Sequence, residues 1–460
     1  MEKLTPQIIA EITGGKFIGD NKSKDVIITG AVRDNRDVKR GNLFICIQGA
    51  RVDGHSFANS AFESGAACCL TEKEIPDAKG PYVIVKSTFE AFKKLGGYYR
   101  SFFDIPVIGI TGSVGKTTTK ELIAAVLSAK YNVLKTEMNM NNELGVPLTL
   151  MSLTQQHGVA VIEMGISDFG EMSRLAEMVR PDIFVITKIG HSHIKELGDL
   201  NGVLRAKTET FAFMKADGIA VLNGDDDLLT SYEPGMRRIL FGLDKHNDFR
   251  SENICVKGTS AVTLDIVDNA GSIDITIPAY GSHLMSLAPA AVAIGRLLGL
   301  TDEEIKLGFL SYAPVEGRSN VSNPNGITLI DDCYNANPQS VKAALTSLSA
   351  LPGQRVAILG DMFNLAGYSE QMHREVGVFA AQCGIDSLIS HGDHARFIHE
   401  GFVSAGGVIA RYYPNRTELI ADIRGIIKKG DAVLVKASRG MHFDELLPVI
   451  SGPEPVSKKT

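Results

Sequence analysis

Lys116 and Thr117 stand directly behind two glycines in the run Thr111-Gly112-Ser113-Val114-Gly115-Lys116-Thr117-Thr118. Such a run can cradle a polyphosphate. The glycines let backbone N–H groups approach the anion, the lysine reaches the β- and γ-phosphates, and the threonine hydroxyl can sit on Mg²⁺. The loop is a shortened form, because Ile110 occupies the place of the first glycine in the longer pattern. Glu163 ends the apolar run Val159-Ala160-Val161-Ile162 and puts a carboxylate at a strand end, the natural partner for Mg²⁺ beside a phosphate loop. His191 and His193 lie two residues apart. No cysteine or third histidine stands near them in sequence, which argues against tetrahedral zinc.

This chemistry needs a strand that ends at the loop and a helix that starts there. Ile105 to Ile110 supplies an apolar, β-branched run, and Leu122, Ala125, Val126 and Ala129 recur at helical spacing behind it. Further strands are predicted at Gly158 to Gly165, Asp182 to Lys188 and Ile219 to Asn223, with a helix around Leu204 to Glu209. Ala261 to Asp268 and Ser272 to Ile277 alternate around Asn269-Ala270-Gly271 and predict an inserted β-hairpin.

The chain has 460 residues, 44% of them hydrophobic and 22% charged, with a net charge of -6. That length suggests about three domains and ample core. There is no basic surplus for nucleic acid and no apolar run of membrane-spanning length. The start Met1-Glu2-Lys3-Leu4-Thr5-Pro6 lacks an apolar leader, so a cytoplasmic protein is expected. Six cysteines without C-x-x-C spacing read as reduced core residues.

The organisation expected is α/β throughout, in three parts. Residues 1–104 form a small α/β unit, 105–313 a central parallel-sheet unit with the phosphate loop, and 314–460 a doubly wound, Rossmann-like unit. In the first, Asp34-Asn35-Arg36 and the loop from Gly49 through Asp53 and Gly54 to His55 could line a second ligand site; taken alone, the former also reads as a solvated turn. Gly452 to Thr460 reads as a frayed tail.

With Asn139-Met140-Asn141-Asn142-Glu143, Glu163-Met164-Gly165, His193, Ala206-Lys207 and Glu316-Gly317-Arg318 added, the chain resembles the ATP-dependent Mur ligases of peptidoglycan synthesis along essentially its whole length. Asp331-Asp332-Cys333-Tyr334-Asn335-Ala336-Asn337-Pro338 and Lys436-Ala437-Ser438-Arg439-Gly440 resemble the branch that joins D-Ala-D-Ala to a UDP-MurNAc-tripeptide.

The resemblance implies an amide-bond ligase working through an acyl phosphate and a tetrahedral intermediate, and acting as a monomer with two Mg²⁺ ions. It implies catalytic roles for Lys116, Glu163, His193 and Lys207, the last as a carbamate joining Thr117, Glu163 and His193 around metal. Arg318, Asp332, Asn335 and Asn337 would contact ATP together with the phosphate loop. Asp34, Asn35, Arg36, Gly49, Asp53, Gly54, His55, Asn141, Asn142, Ser438 and Arg439 would contact substrate. On residues alone, Arg318 could equally be a surface ion-pair partner and Asn337 a helix cap. Leu284 and Leu287 depart from the family, which commonly places adenine-contacting asparagines there. Another Mur-type or folylpolyglutamate-type ligase, or a non-catalytic nucleotide-binding regulator, are the alternatives.

Overall fold

A computed structural model describes residues 4–49 and 52–452. Met1 to Lys3, Ala50 and Arg51 of the Gly49 to His55 loop, and the predicted tail beyond Gly452 lie outside the described residues. Three separate sheets of five, nine and six strands order the chain.

The nine-stranded sheet carries the phosphate loop. Its parallel centre runs Ile219–Asn223, Ile183–Ile186, Val107–Thr111, Val159–Glu163, Val133–Lys135. These are apolar runs because both faces of the sheet are covered. Ile108, Ile110, Val159 and Val161 face one core, shared with helices Lys116–Ser128 and His283–Leu297, while Ala160, Ile162, Phe184 and Ile186 face the other. The strand Val107–Thr111 lies between Ile183–Ile186 and Val159–Glu163, and connections leave it in both directions. That topological switch opens a crevice at the carboxyl ends of the strands.

The predicted hairpin is continuous with this sheet rather than set apart from it. Phe249–Lys257 pairs parallel to Arg237–Gly242, then Ala261–Asp268 and Gly271–Ile277 extend it antiparallel to the edge. Inward residues Val262, Leu264, Ile266, Ile273 and Ile275 join the main core, so the alternation reflects half-burial on an extended sheet.

The first sheet shares a core with the central one. Helix Thr88–Arg100 buries Ala91, Phe92 and Leu95 with Leu43, Ile45, Leu70 and Val83, and also packs on helices Gly145–Leu150 and Glu171–Val179. Gly96 permits the approach: a Cβ there would stand 2.7 Å from Pro147 Cβ.

The third sheet runs Asn320–Ser322, Thr328–Asp331, Ala432–Lys436, Arg355–Gly360, Ser387–His391, Ile409–Tyr413, antiparallel only at the first pair. Helices Pro338–Ser349, Ser369–Gln382 and Ala395–Ser404 cover one face and Arg416–Ile426 the other, a doubly wound arrangement. The chain then makes a 3₁₀ turn, Phe443–Leu446, that becomes α-helical over Leu447–Ser451. No helix among the described residues is long and apolar enough to cross a membrane.

Candidate active site

The loop after Val107–Thr111 closes on the neighbouring strand end. Thr111 Oγ1 donates to Met164 O at 2.7 Å, and Ser113 N donates to Lys188 O at 2.8 Å. Gly112 is required by this packing, since a Cβ would lie 2.0 Å from Thr187 Oγ1. Gly115, with φ of +81°, caps helix Lys116–Ser128 in the left-handed conformation, which turns the first N–H groups of the helix toward the crevice. Lys116 Nζ donates to Gly112 O at 2.7 Å. Burial lowers its pKa and Arg318 lowers it further, while Glu163 opposes both.

Glu163 is 2% exposed. Its Oε1 accepts from Asn141 Nδ2 at 2.8 Å, and its backbone N–H donates to Thr136 Oγ1 at 2.9 Å. Its Oε2 is buried and has no hydrogen-bond partner. A buried carboxylate oxygen without a donor needs compensation, and a hard cation supplies it. Lys207, 3% exposed on helix Leu200–Thr208, has no hydrogen bond or ion pair among the described residues. Burial pushes its ammonium well below the usual lysine range, and Lys116 adds to the shift. His193 has a lowered pKa from burial and from these same two lysines. Lys116, Lys207, His193, Glu163 and Arg318 are thus electrostatically coupled, with positive groups in excess: a site made for anions with a hard-metal position beside Glu163. The hydroxyl of buried Thr117 stands at the start of helix Lys116–Ser128. Thr117 and Glu163 supply hard oxygens, so the residues present fit Mg²⁺.

A cavity of about 510 Å³ runs from Ser113 to Thr118 into the gap between the second and third sheets. Arg318, Asp332, Asn335 and Asn337 line it, as the sequence suggested. Asp332 is tied to Lys436 Nζ at 2.7 Å and to Ser319 N at 3.2 Å. Arg318 lies over the Tyr334 ring at 4.1 Å with its Nε buried and unpartnered, and so is no surface ion-pair partner. The Asn337 side chain is also the N-cap of helix Pro338–Ser349, in a capping box with Ser340. Leu287 lines the cavity, whereas Leu284 is buried in the core.

A second cleft, about 1170 Å³, separates the first sheet from the central one and is lined by Asp34, Asn35, Arg36, Gly49 and Gly54. Arg36 is 83% exposed, and Asp34 accepts from both its backbone N–H at 3.0 Å and its Nε at 2.9 Å. These contacts hold the Asp34 carboxyl down at about 2. The turn reading and the cleft reading therefore both describe this segment.

Four expected substrate residues also make hydrogen bonds within the protein. Asp53 and His55 do not line the cleft: Asp53 Oδ1 accepts from His55 Nδ1 at 2.6 Å, and His55 Nε2 accepts from Glu72 N at 3.0 Å, so both bind the loop together. Asn142 Oδ1 accepts from Leu144 N and Gly145 N and starts helix Gly145–Leu150. Ser438 is buried and accepts from Phe363 N at 2.8 Å. Short polar side chains beside turns satisfy local backbone first. Arg439 is exposed, with its guanidinium 5.1 Å from the Tyr334 ring.

Sequence reasoning missed Thr187, whose hydroxyl donates to Val114 O and Thr111 O, and His283, Tyr334 and Lys436 in the cavity wall. Thr187 follows a parallel strand directly, and that position was its signal.

Fold and site together define a phosphate-loop protein of three α/β units with an anion site where the second and third meet. Residues 28–96 match the Mur ligase family catalytic domain, 110–295 the Mur ligase middle domain and 317–439 the Mur ligase glutamate ligase domain. The chain is 34% identical to UDP-N-acetylmuramoyl-tripeptide--D-alanyl-D-alanine ligase of Bacillus subtilis, over 97% of this chain and 98% of that one. It is 33% identical to the Escherichia coli protein of the same name, over 97% and 98%. A crystal structure of MurF from Acinetobacter baumannii superposes with a TM-score of 0.89 at 29% identity, covering 98% of this chain and 99% of that one. MurF ligase from Thermotoga maritima in complex with ADP gives 0.83 at 27% identity, covering 93% and 98%. The chain belongs to the Mur ligase family.

Proposed function

We propose that this ligase joins the amine of D-Ala-D-Ala to the terminal carboxylate of a UDP-MurNAc-tripeptide, consuming ATP and releasing ADP and phosphate. The carrying observation is the junction of Lys116, Glu163 with its free buried oxygen, and unpaired Lys207, at the inner end of a nucleotide-sized cavity. The Thermotoga maritima relative with ADP supports ATP as the phosphoryl donor.

A carboxylate is a poor electrophile. Transfer of the γ-phosphoryl group to it makes an acyl phosphate and leaves ADP; the amine then attacks the acyl carbon, and the tetrahedral intermediate expels phosphate. Phosphoryl transfer depends on positioning and charge neutralisation. The backbone N–H groups from Gly112 to Thr118 hold the phosphates, Lys116 and Arg318 offset the charge on the group in flight, and Thr117, Glu163 and His193 would hold Mg²⁺. Bound Mg²⁺ supplies further neutralisation of the polyphosphate.

Lys207 would join them as a carbamate. Its buried amine is driven toward the neutral form that adds CO₂, with loss of one proton, and the product replaces an uncompensated cation with oxygen donors. Residues 1–104 would hold the uridine end of the substrate in the first cleft, 105–313 the triphosphate, and 314–460 would complete the nucleotide site from the far side. The enzyme would act as a monomer in the cytoplasm, in cell-wall synthesis.

Phosphate release from ATP, with each substrate omitted in turn, tests the assignment. Release is expected only with UDP-MurNAc-tripeptide and D-Ala-D-Ala together; release with either absent overturns it.

A further inference from the structure

The segment 190–193 is gripped from two sides. From the phosphate loop, Ser113 Oγ donates to Gly190 O at 3.0 Å and accepts from Gly190 N at 2.9 Å, while Ser192 Oγ donates to Ser113 O at 3.1 Å. From the third unit, the Gln339 amide nitrogen donates to His191 Nδ1 at 3.0 Å, and Asn337 Nδ2 lies 3.5 Å from Ser192 Oγ. Gln339 stands in the first turn of Pro338–Ser349, where Pro338 and the capping box fix the backbone.

His193 follows at once with φ of +59°. The left-handed conformation is uncommon for a residue other than glycine, though histidine adopts it more readily than most, and contacts on the flanking residues help to hold it. One of the two grips belongs to a different sheet from His193, so the third unit takes part in holding the segment that leads into His193. The Gln339 Oε1 atom is buried and unpartnered, so the His191 contact is the one hydrogen bond this amide makes among the described residues.

We propose that His191 and Gln339 form a latch that sets His193 in place only when the third unit is docked. Both are positioning residues that act through His193. The latch makes phosphoryl transfer conditional on the arrangement that completes the nucleotide cavity, and so guards against ATP loss in the undocked state. This rests on the ligase reading above.

The test uses the full-length enzyme and the variants H191A, Q339A, the double variant and Q339E. Each alanine variant is expected to lower kcat about tenfold, the upper range for one lost hydrogen bond, with the double variant no worse than either single one. KM for UDP-MurNAc-tripeptide should stay unchanged, and Q339E, whose carboxylate can accept from the Nδ1–H tautomer of neutral His191, should recover part of the loss. Amide hydrogen exchange over 190–197 in the ADP complex should rise equally in all three alanine variants. Additive losses in kcat, or unchanged exchange in folded variants, overturn the latch. The exchange measurement needs no turnover, so it decides the latch even where wild type fails with these substrates and the ligase reading falls.

Discussion

Asn141 and Glu163 meet across the crevice, the amide nitrogen 2.8 Å from one carboxylate oxygen, and this contact leaves the other oxygen buried without a donor. Asn141 thus orients the carboxylate and does not compete for its free lone pairs. Asn141→Ala should raise the Mg²⁺ concentration for half-maximal activity about 10- to 100-fold, the range for partners that orient a metal ligand. A Mg²⁺ titration at saturating ATP checks this; an unchanged requirement would remove Asn141 from the metal site.

Lys116→Ala should lower turnover by about 10²- to 10³-fold, as expected for a lost preorganised charge on the transferring group. Its thermal melting should stay near that of wild type, because among the described residues the Lys116 ammonium makes a single hydrogen bond, to the Gly112 carbonyl. Near-normal phosphate release in the folded variant would exclude the loop from the mechanism.

Arg36→Ala should raise KM for the UDP-MurNAc-tripeptide about tenfold, the scale of one charge-assisted hydrogen bond, and leave KM for ATP alone. Arg36 lines the first cleft and takes no part in the cavity around Lys116. Equal effects on both constants would make Asp34-Asn35-Arg36 a turn and nothing more.

Lys207→Ala should be nearly inactive yet regain part of its activity with a short-chain carboxylic acid, which can enter the space left near Lys116. Mass spectrometry of the native protein should find one added CO₂ that the variant lacks. Full activity of Lys207→Ala would sink the carbamate.

Acid should weaken the fold through His283. Burial holds its pKa down at about 4 against an ordinary 6.5, with nearby Lys436 and Arg318 pulling it lower and Asp332 opposing them. Between those values the unfolded chain binds the extra proton, so the contribution is complete above about pH 6.5 and is lost as pH falls toward about 4. Melting temperatures across that window should fall less steeply for His283→Gln than for wild type. Parallel curves would place the acid sensitivity elsewhere.

Much of this protein was legible in its sequence because the signals were local. An apolar strand, two glycines, Lys116 and Thr117 lie within a dozen residues, and Glu163 ends an apolar run, so strand periodicity and loop chemistry announced the nucleotide site directly. The regular alternation of strands and helices likewise predicted three α/β units. The hairpin around Asn269 was legible as a hairpin, yet nothing in its alternation said that it continues the central sheet.

What folding alone decided depends on residues far apart in the chain. The amides of Asn141 and Gln339 reach partners 22 and 148 residues away, and no spacing rule links either pair. Lys207 reads as an ordinary helical lysine until packing buries it near Lys116. Asp53, His55, Asn142 and Ser438 were expected to contact substrate, and the fold also gives each of them a backbone N–H to accept from. A sequence records which groups a residue carries; only the folded chain settles which neighbour satisfies them first, because a buried polar atom takes the nearest partner the packing allows.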